Sequence, residues 1–268
     1  MSGDEKSDRT ALVTGASSGI GRELADVIAA DGYDLVVTAR REERLRELAD
    51  EVESEHGVEA TVILQDLSEP TAADDLFDAV RNRGITVHTL VNNAGVPVYG
   101  RFTETDREAE RDMMRVNTVT LTELTKLFAA PMVDRGTGAI LNTASLASFY
   151  PVPKKAVYAA TKSYVLSFSR ALAHELVDDG ITVTALCPGV VETEYAYRGN
   201  VEESDTMEGV TDDPRSVAEA GWNGVRNGER IVFPSAFDTY GAQLTRLLPR
   251  KTVTELGERT VEEGASWI

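Results

Sequence analysis

ALVTGASSGIGRELADVIAA, residues 11–30, is the stretch on which the fold turns. Its first four residues are apolar or β-branched, which suits a buried strand. From Ile20 to Ala30 apolar residues recur at helical spacing. Between them lies GASSGIG, with Gly15, Gly19 and Gly21 in a GxxxGxG spacing. A tight strand-to-helix turn needs positive φ at some positions, which glycine supplies without strain. The N–H groups that open the helix have no intrahelical partner and carry a partial positive charge. Gly15, Ser17, Ser18, Gly19, Ile20 and Gly21 therefore form a candidate cradle for a phosphate. No GK[ST] follows, so the turn is not that of a nucleoside triphosphatase.

The same alternation continues outward. Apolar runs at 34–39, 60–64, 87–92, 138–145 and 181–186 read as strands, and 229–233 as a last one. Longer amphipathic stretches separate them, at 42–56, 72–83, 106–135, 157–177 and 214–226. Pro131 predicts a kink or an early stop in the 106–135 helix. Repeated β-α units predict an α/β fold: a doubly wound parallel sheet of about seven strands with helices on both faces. With no linker or internal repeat, residues 1–268 read as one domain. Residues 191–213, rich in acids, form a long connection of the kind that often serves as a substrate lid. Residues 237–268 read as a C-terminal extension whose role has no sequence signature.

The chain carries 45 acids against 21 arginines and 6 lysines, a formal net charge of −18. Such a surface repels nucleic acid and anionic membranes. It also suits a high-salt habitat, where counterions screen the mutual repulsion of carboxylates. Neither a secretory leader nor a spanning apolar run is legible, so a cytoplasmic protein is expected. One cysteine, Cys187, excludes an intramolecular disulfide. His56, His88 and His174 stand at no metal-ligand spacing, and no metal site is expected.

Two further motifs, NNAG at 92–95 and YAATK at 158–162, join the glycine turn. With them the chain resembles the short-chain dehydrogenase/reductase family from Thr10 to about Phe233. Tyr158 and Lys162 stand four apart on a helix and so share a face. A neighbouring ammonium favours the tyrosinate, so such a phenol exchanges a proton with a substrate oxygen near neutral pH. The resemblance implies Tyr158 as acid/base, Ser145 as the residue that orients substrate, Lys162 on the ribose and Asn117 completing a proton relay. It also implies cofactor contacts from Asp66, Leu67, Asn93, Ala94 and Gly95, and from Pro188, Gly189, Val191 and Thr193. Asn92 and Ala94 are expected along the adenine ribose and as supports of the central strand.

After the second strand an acid would bridge the ribose hydroxyls of NAD(H). Here Ala39 is followed by Arg40 and Arg41. Guanidinium groups fork onto phosphate oxygens, so NADP(H) is expected rather than NAD(H). The expected activity is hydride transfer between NADP(H) and a small-molecule carbonyl or alcohol, with Tyr150, Val152 and Tyr195 beside Ser145 in the substrate pocket. A non-catalytic NADP-binding regulator or scaffold on the same fold is the alternative. The resemblance also implies a homodimer or homotetramer paired through the 106–135 and 157–177 helices, and apolar residues on more than one face of the second are consistent with a partner helix.

Overall fold

The computed structural model describes residues 9–191, 212–235, 238–240, 242, 245 and 248–262. In chain order the elements are β1 (Thr10–Thr14), α1 (Gly19–Ala30), β2 (Asp34–Ala39), α2 (Glu42–His56), β3 (Ala60–Leu64) and α3 (Ala72–Arg81). Then come β4 (Val87–Asn92), α4 (Arg107–Met114), a π-helical stretch at Arg115–Thr120, α5 (Leu121–Arg135) and β5 (Gly138–Thr143). A 3₁₀ turn at Leu146–Ser148, α6 (Ala156–Glu175), β6 (Ile181–Leu186), α7 (Pro214–Arg226), β7 (Ile231–Val232) and α8 (Arg250–Glu262) complete the set.

The strands form one seven-stranded sheet in the order β3-β2-β1-β4-β5-β6-β7. Every pairing is parallel. The architecture is the doubly wound α/β sheet that the sequence predicts. Alternate residues of each strand serve opposite faces. Ala11 and Val13 of β1 pack with Leu24 and Ile28 of α1, Leu45 and Leu48 of α2, and Trp222 of α7. Leu12 points the other way, among Leu76 of α3, Leu124 and Phe128 of α5, and Ala173 of α6. The chain winds outward from β1 to β3, then returns to add β4 on the other side of β1. That reversal opens a crevice beyond the carboxyl ends of β1 and β4, where ligands bind in such sheets.

Two local readings need correction. The 106–135 helix does not stop at Pro131, because α5 runs on to Arg135. The irregularity falls instead at Arg115–Thr120, one turn of π-helix around Asn117. The fifth strand stops at Thr143 rather than running through Ser145, which caps the 3₁₀ turn by accepting from Ala147 N at 3.1 Å.

Candidate active site

At the crevice, Gly15 has φ +69° and Gly19 φ +56°. A Cβ on Gly15 would lie 2.9 Å from Ala94 Cα, and one on Gly21 would lie 2.3 Å from Gly15 O. The glycines thus let the turn press on the NNAG segment and let α1 start directly behind it. Thr14 joins the two parts. Its hydroxyl donates to Val91 O at 3.2 Å and accepts from the N–H groups of Asn93 and Ala94, both at 3.0 Å. Asn93 Nδ2 donates back to Thr14 O at 3.2 Å, and Thr143 Oγ1 donates to Asn93 Oδ1 at 3.3 Å. Thr14 and Thr143 escape a motif search because only the folded sheet brings them together.

Asn92 does not lie along the crevice as expected. It is buried, and its Nδ2 donates to Thr125 Oγ1 and to Asn142 Oδ1, each at 2.9 Å. Asn142 in turn donates to Ser169 Oγ at 2.9 Å. This polar chain ties β4 and β5 to α5 and α6. Side chains alternate along a strand, so Asn92 and Asn93 serve different purposes.

Arg41 extends over the glycine turn. Its guanidinium donates to Ser17 Oγ at 3.1 Å and to Ser18 Oγ at 2.5 Å. Arg40 turns the other way, towards Asp66, at 3.8 Å, with over half its side chain exposed. Asp66 Oδ1 also accepts from Ser68 N at 3.0 Å and Ser68 Oγ at 2.7 Å. Burial pushes the Asp66 carboxyl up, but the Ser68 hydrogen bonds and the Arg40 charge outweigh it and hold the pKa below the ordinary carboxylate value. Leu67 is buried, and its carbonyl accepts from Thr120 Oγ1 at 2.9 Å. Ile20 packs on the core beneath α1.

The remaining predicted groups meet around Gly95. A Cβ on Gly95 would lie 3.4 Å from both Asn117 Oδ1 and Lys162 Nζ. Asn117 is 1% exposed, and its amide is fully used. It accepts from Val96 N at 3.0 Å and donates to Val96 O and Thr161 Oγ1, each at 3.1 Å. The π turn places this side chain against the strand end. Lys162 is also buried, and its Nζ donates to Thr143 O at 2.7 Å. Burial brings its ammonium down to about 8, partly opposed by the Cys187 sulfur. The ammonium lies 6.0 Å from the centre of the Tyr158 ring. Ser145 Oγ lies 3.5 Å from Pro188 O, and Leu146 N donates to that same carbonyl at 2.8 Å.

Pro188, Gly189 and Val191 form the turn after β6, with Val191 bridged to Asp212. Tyr150 and Val152 are buried with Leu146, Ala159, Ala242 and Val253, so the C-terminal extension packs against them. Thr193, Tyr195 and most of the 191–213 connection lie outside the described residues. Cys187 is buried and its thiol is pushed up to about 12, first by burial, which suits packing and not nucleophilic attack. Away from the crevice, Asp26, Glu55 and His56 bring ligand-type atoms within 4.8 Å of one another, a grouping their spacing hides. Asp26 there binds His56 at 2.8 Å and the Arg215 guanidinium.

A family model described as short chain dehydrogenase matches residues 9–203. A sulfoacetaldehyde reductase of Chromohalobacter salexigens is 37% identical over 186 residues, covering 69% of this chain and 73% of the relative. A very-long-chain 3-oxoacyl-CoA reductase of Anas platyrhynchos is 30% identical over 257 residues, covering 93% and 79%. Among solved structures, a short-chain dehydrogenase from Sphingobium yanoikuyae in complex with NADPH superposes with a TM-score of 0.80 at 32% identity, covering 89% of this chain and 94% of the other. No helix among the described residues is long and apolar enough to cross a membrane.

Proposed function

The chain belongs to the short-chain dehydrogenase/reductase family, and on that premise we propose that it is an NADP(H)-dependent oxidoreductase acting on a carbonyl or alcohol, with Tyr158 as its acid/base. The reading rests above all on the meeting of Gly95, Asn117 and the Lys162 ammonium beside the Tyr158 ring. The crevice fits a dinucleotide. The glycine turn opens directly into the α1 N-terminus, whose free N–H groups follow the Ser17 and Ser18 hydroxyls and the Arg41 guanidinium beside them. Arg41 with Ser17 and Ser18 would hold a 2′-phosphate, in agreement with the NADPH bound by the Sphingobium relative. When bound, the nicotinamide supplies or accepts the hydride.

The chain itself handles the proton. Tyr158 donates from its hydroxyl to the substrate oxygen during reduction and takes the proton back during oxidation. Lys162, held by Thr143 O, puts a positive charge beside the phenol and stabilises the phenolate left behind. Ser145 accepts from Ala147 N at 3.1 Å and donates weakly to Pro188 O at 3.5 Å, so its hydroxyl hydrogen turns from that long contact to the same substrate oxygen. Asn117 keeps the Val96 backbone and the α6 residue Thr161 in fixed relation, so the phenol and the Gly95 segment hold their distance.

Incubation with NADPH and a panel of ketones tests the reading. Turnover is expected with NADPH, and Tyr158→Phe is expected to lower it by about 10²–10⁴-fold while NADPH still binds. Turnover undiminished in that variant would remove Tyr158 from its role.

A further inference from the structure

We infer that Asp238, with Asp212 beside it, is a positioning residue for the nicotinamide end of the cofactor site, acting through the Pro188–Gly189–Val190–Val191 turn. The inference rests on the function proposed above, because only a bound nicotinamide gives that turn a ligand to hold.

The geometry is specific. A Cβ on Gly189 would lie 2.5 Å from Asp238 Oδ1, so the carboxylate sits where the side chain of any other residue would be. Asp238 is 4% exposed, and its Oδ2 has no hydrogen-bond partner among the described polar groups. Its backbone N–H donates to Ser235 Oγ at 3.1 Å, which anchors it just beyond β7. Asp212 holds the same turn through its backbone. Its N–H donates to Val190 O at 2.9 Å, and it bridges Val191. The turn is thus gripped on one flank by the two acids. On the other, Leu146 N holds Pro188 O, the carbonyl that also lies near Ser145 Oγ. A shift of the acid pair would move the turn and reach the Ser145 hydroxyl through a single carbonyl.

A carboxyl set beside a second carboxylate holds its own proton more tightly than it would alone. Burial, then the Asp238 charge and hydrogen bond, push Asp212 up to about 6. Few other titratable groups face the pair among the described residues. Cys187 at the end of β6 keeps its thiol proton, and Lys162 of α6 lies beyond it. Asp213, next to Asp212, is occupied in capping α7 through Ser216 N at 3.0 Å. A folded pKa raised above the unfolded one means that protonated Asp212 favours the fold. That contribution is fully present below the ordinary carboxylate pKa and is lost as pH rises from there through about 6. Above that pH the two charges repel and loosen the turn.

NADPH fluorescence titrations from about pH 5 to about pH 8 test this, with melting curves of the cofactor-free protein alongside. The phosphate of NADPH titrates in this range in every variant, so the reading is the difference between proteins. Wild type is expected to lose NADPH affinity several-fold more than Asp212→Asn or Asp238→Asn as pH rises through 6. Its melting temperature should fall over the same interval while those of the variants stay level. If Asp238→Asn does not fold, Asp212→Asn, nearer the surface, gives the same comparison. Parallel affinity curves for wild type and variants overturn the inference, even if melting temperatures differ, since a merely structural role would move only those. Absence of NADPH binding at every pH would overturn the proposed function and the cofactor role together, while the melting curves would still report the proton on Asp212.

Discussion

Arg40 and Arg41 are adjacent in sequence but do different work. Sequence shows that two cations follow β2 and that no acid stands where NAD(H)-specific chains need one. It does not show which cation faces the crevice, because that depends on where α2 starts. Arg41 is the N-cap of α2 and reaches back to Ser17 and Ser18, whereas Arg40 neutralises Asp66. Arg41→Ala is therefore expected to raise the Michaelis constant for NADPH by about tenfold or more, the loss of one charge-assisted phosphate contact, and to leave NADH nearly unchanged. Arg40→Ala should do much less, since an exposed pair at 3.8 Å contributes little. Steady-state kinetics with both cofactors decide it, and equal penalties at the two positions would return the phosphate to a shared site. The same limit explains Asn92. A motif names the residues, but strand alternation in the folded sheet decides which face the core and which the ligand.

Elements were more legible than their irregularities. The strands at 34–39, 60–64, 87–92 and 181–186 have the bounds expected from apolar runs, since strands covered on both faces announce themselves by composition. The π turn at Arg115–Thr120 leaves no such trace, and the bonds it accompanies, from Asn117 to the Val96 backbone, span 21 residues and so lie beyond any local pattern. Nor is the clamp on the outer face legible. There α7 lies along α1, and Arg215 reaches Asp26 and Glu23 of α1 as well as Glu219 of its own helix. Burial alone would raise the Asp26 pKa, but hydrogen bonds from His56 and Arg215 bring it below the ordinary value. A depressed carboxylate stabilises the fold above its unfolded pKa and loses that contribution as pH falls through the folded one. Arg215→Ala is expected to cost about 1 kcal/mol near neutral pH, a melting shift of roughly 2–4 °C. The cost should shrink as pH falls below the ordinary carboxylate range and Asp26 takes up its proton. A penalty independent of pH would assign the role of Arg215 to packing of its aliphatic stem.

At the scale of the whole molecule the dominant quantity is the net charge of −18 on 268 residues. The described ion pairs do little to offset it, since most join side chains more than a third exposed, such as Arg46–Glu42 and Lys251–Glu255. Mutual repulsion of the remaining carboxylates opposes the compact state and is felt over a Debye length of about 10 Å at 0.1 M salt. We therefore expect the melting temperature to rise as KCl increases from about 0.05 M. The shape of the rise carries the information. Screening is nearly complete once the Debye length falls to about 3 Å near 1 M, so a rise that saturates by then reports charge repulsion. A rise that continues in proportion to salt into the multimolar range reports exclusion of salt from the protein surface, which strengthens apolar burial in any protein. Only a steep, saturating rise, absent when an uncharged osmolyte replaces KCl, would show that the acidic surface is tuned to a saline environment. A flat curve below about 1 M would mean that the acids are spaced widely enough for water alone to hold them apart.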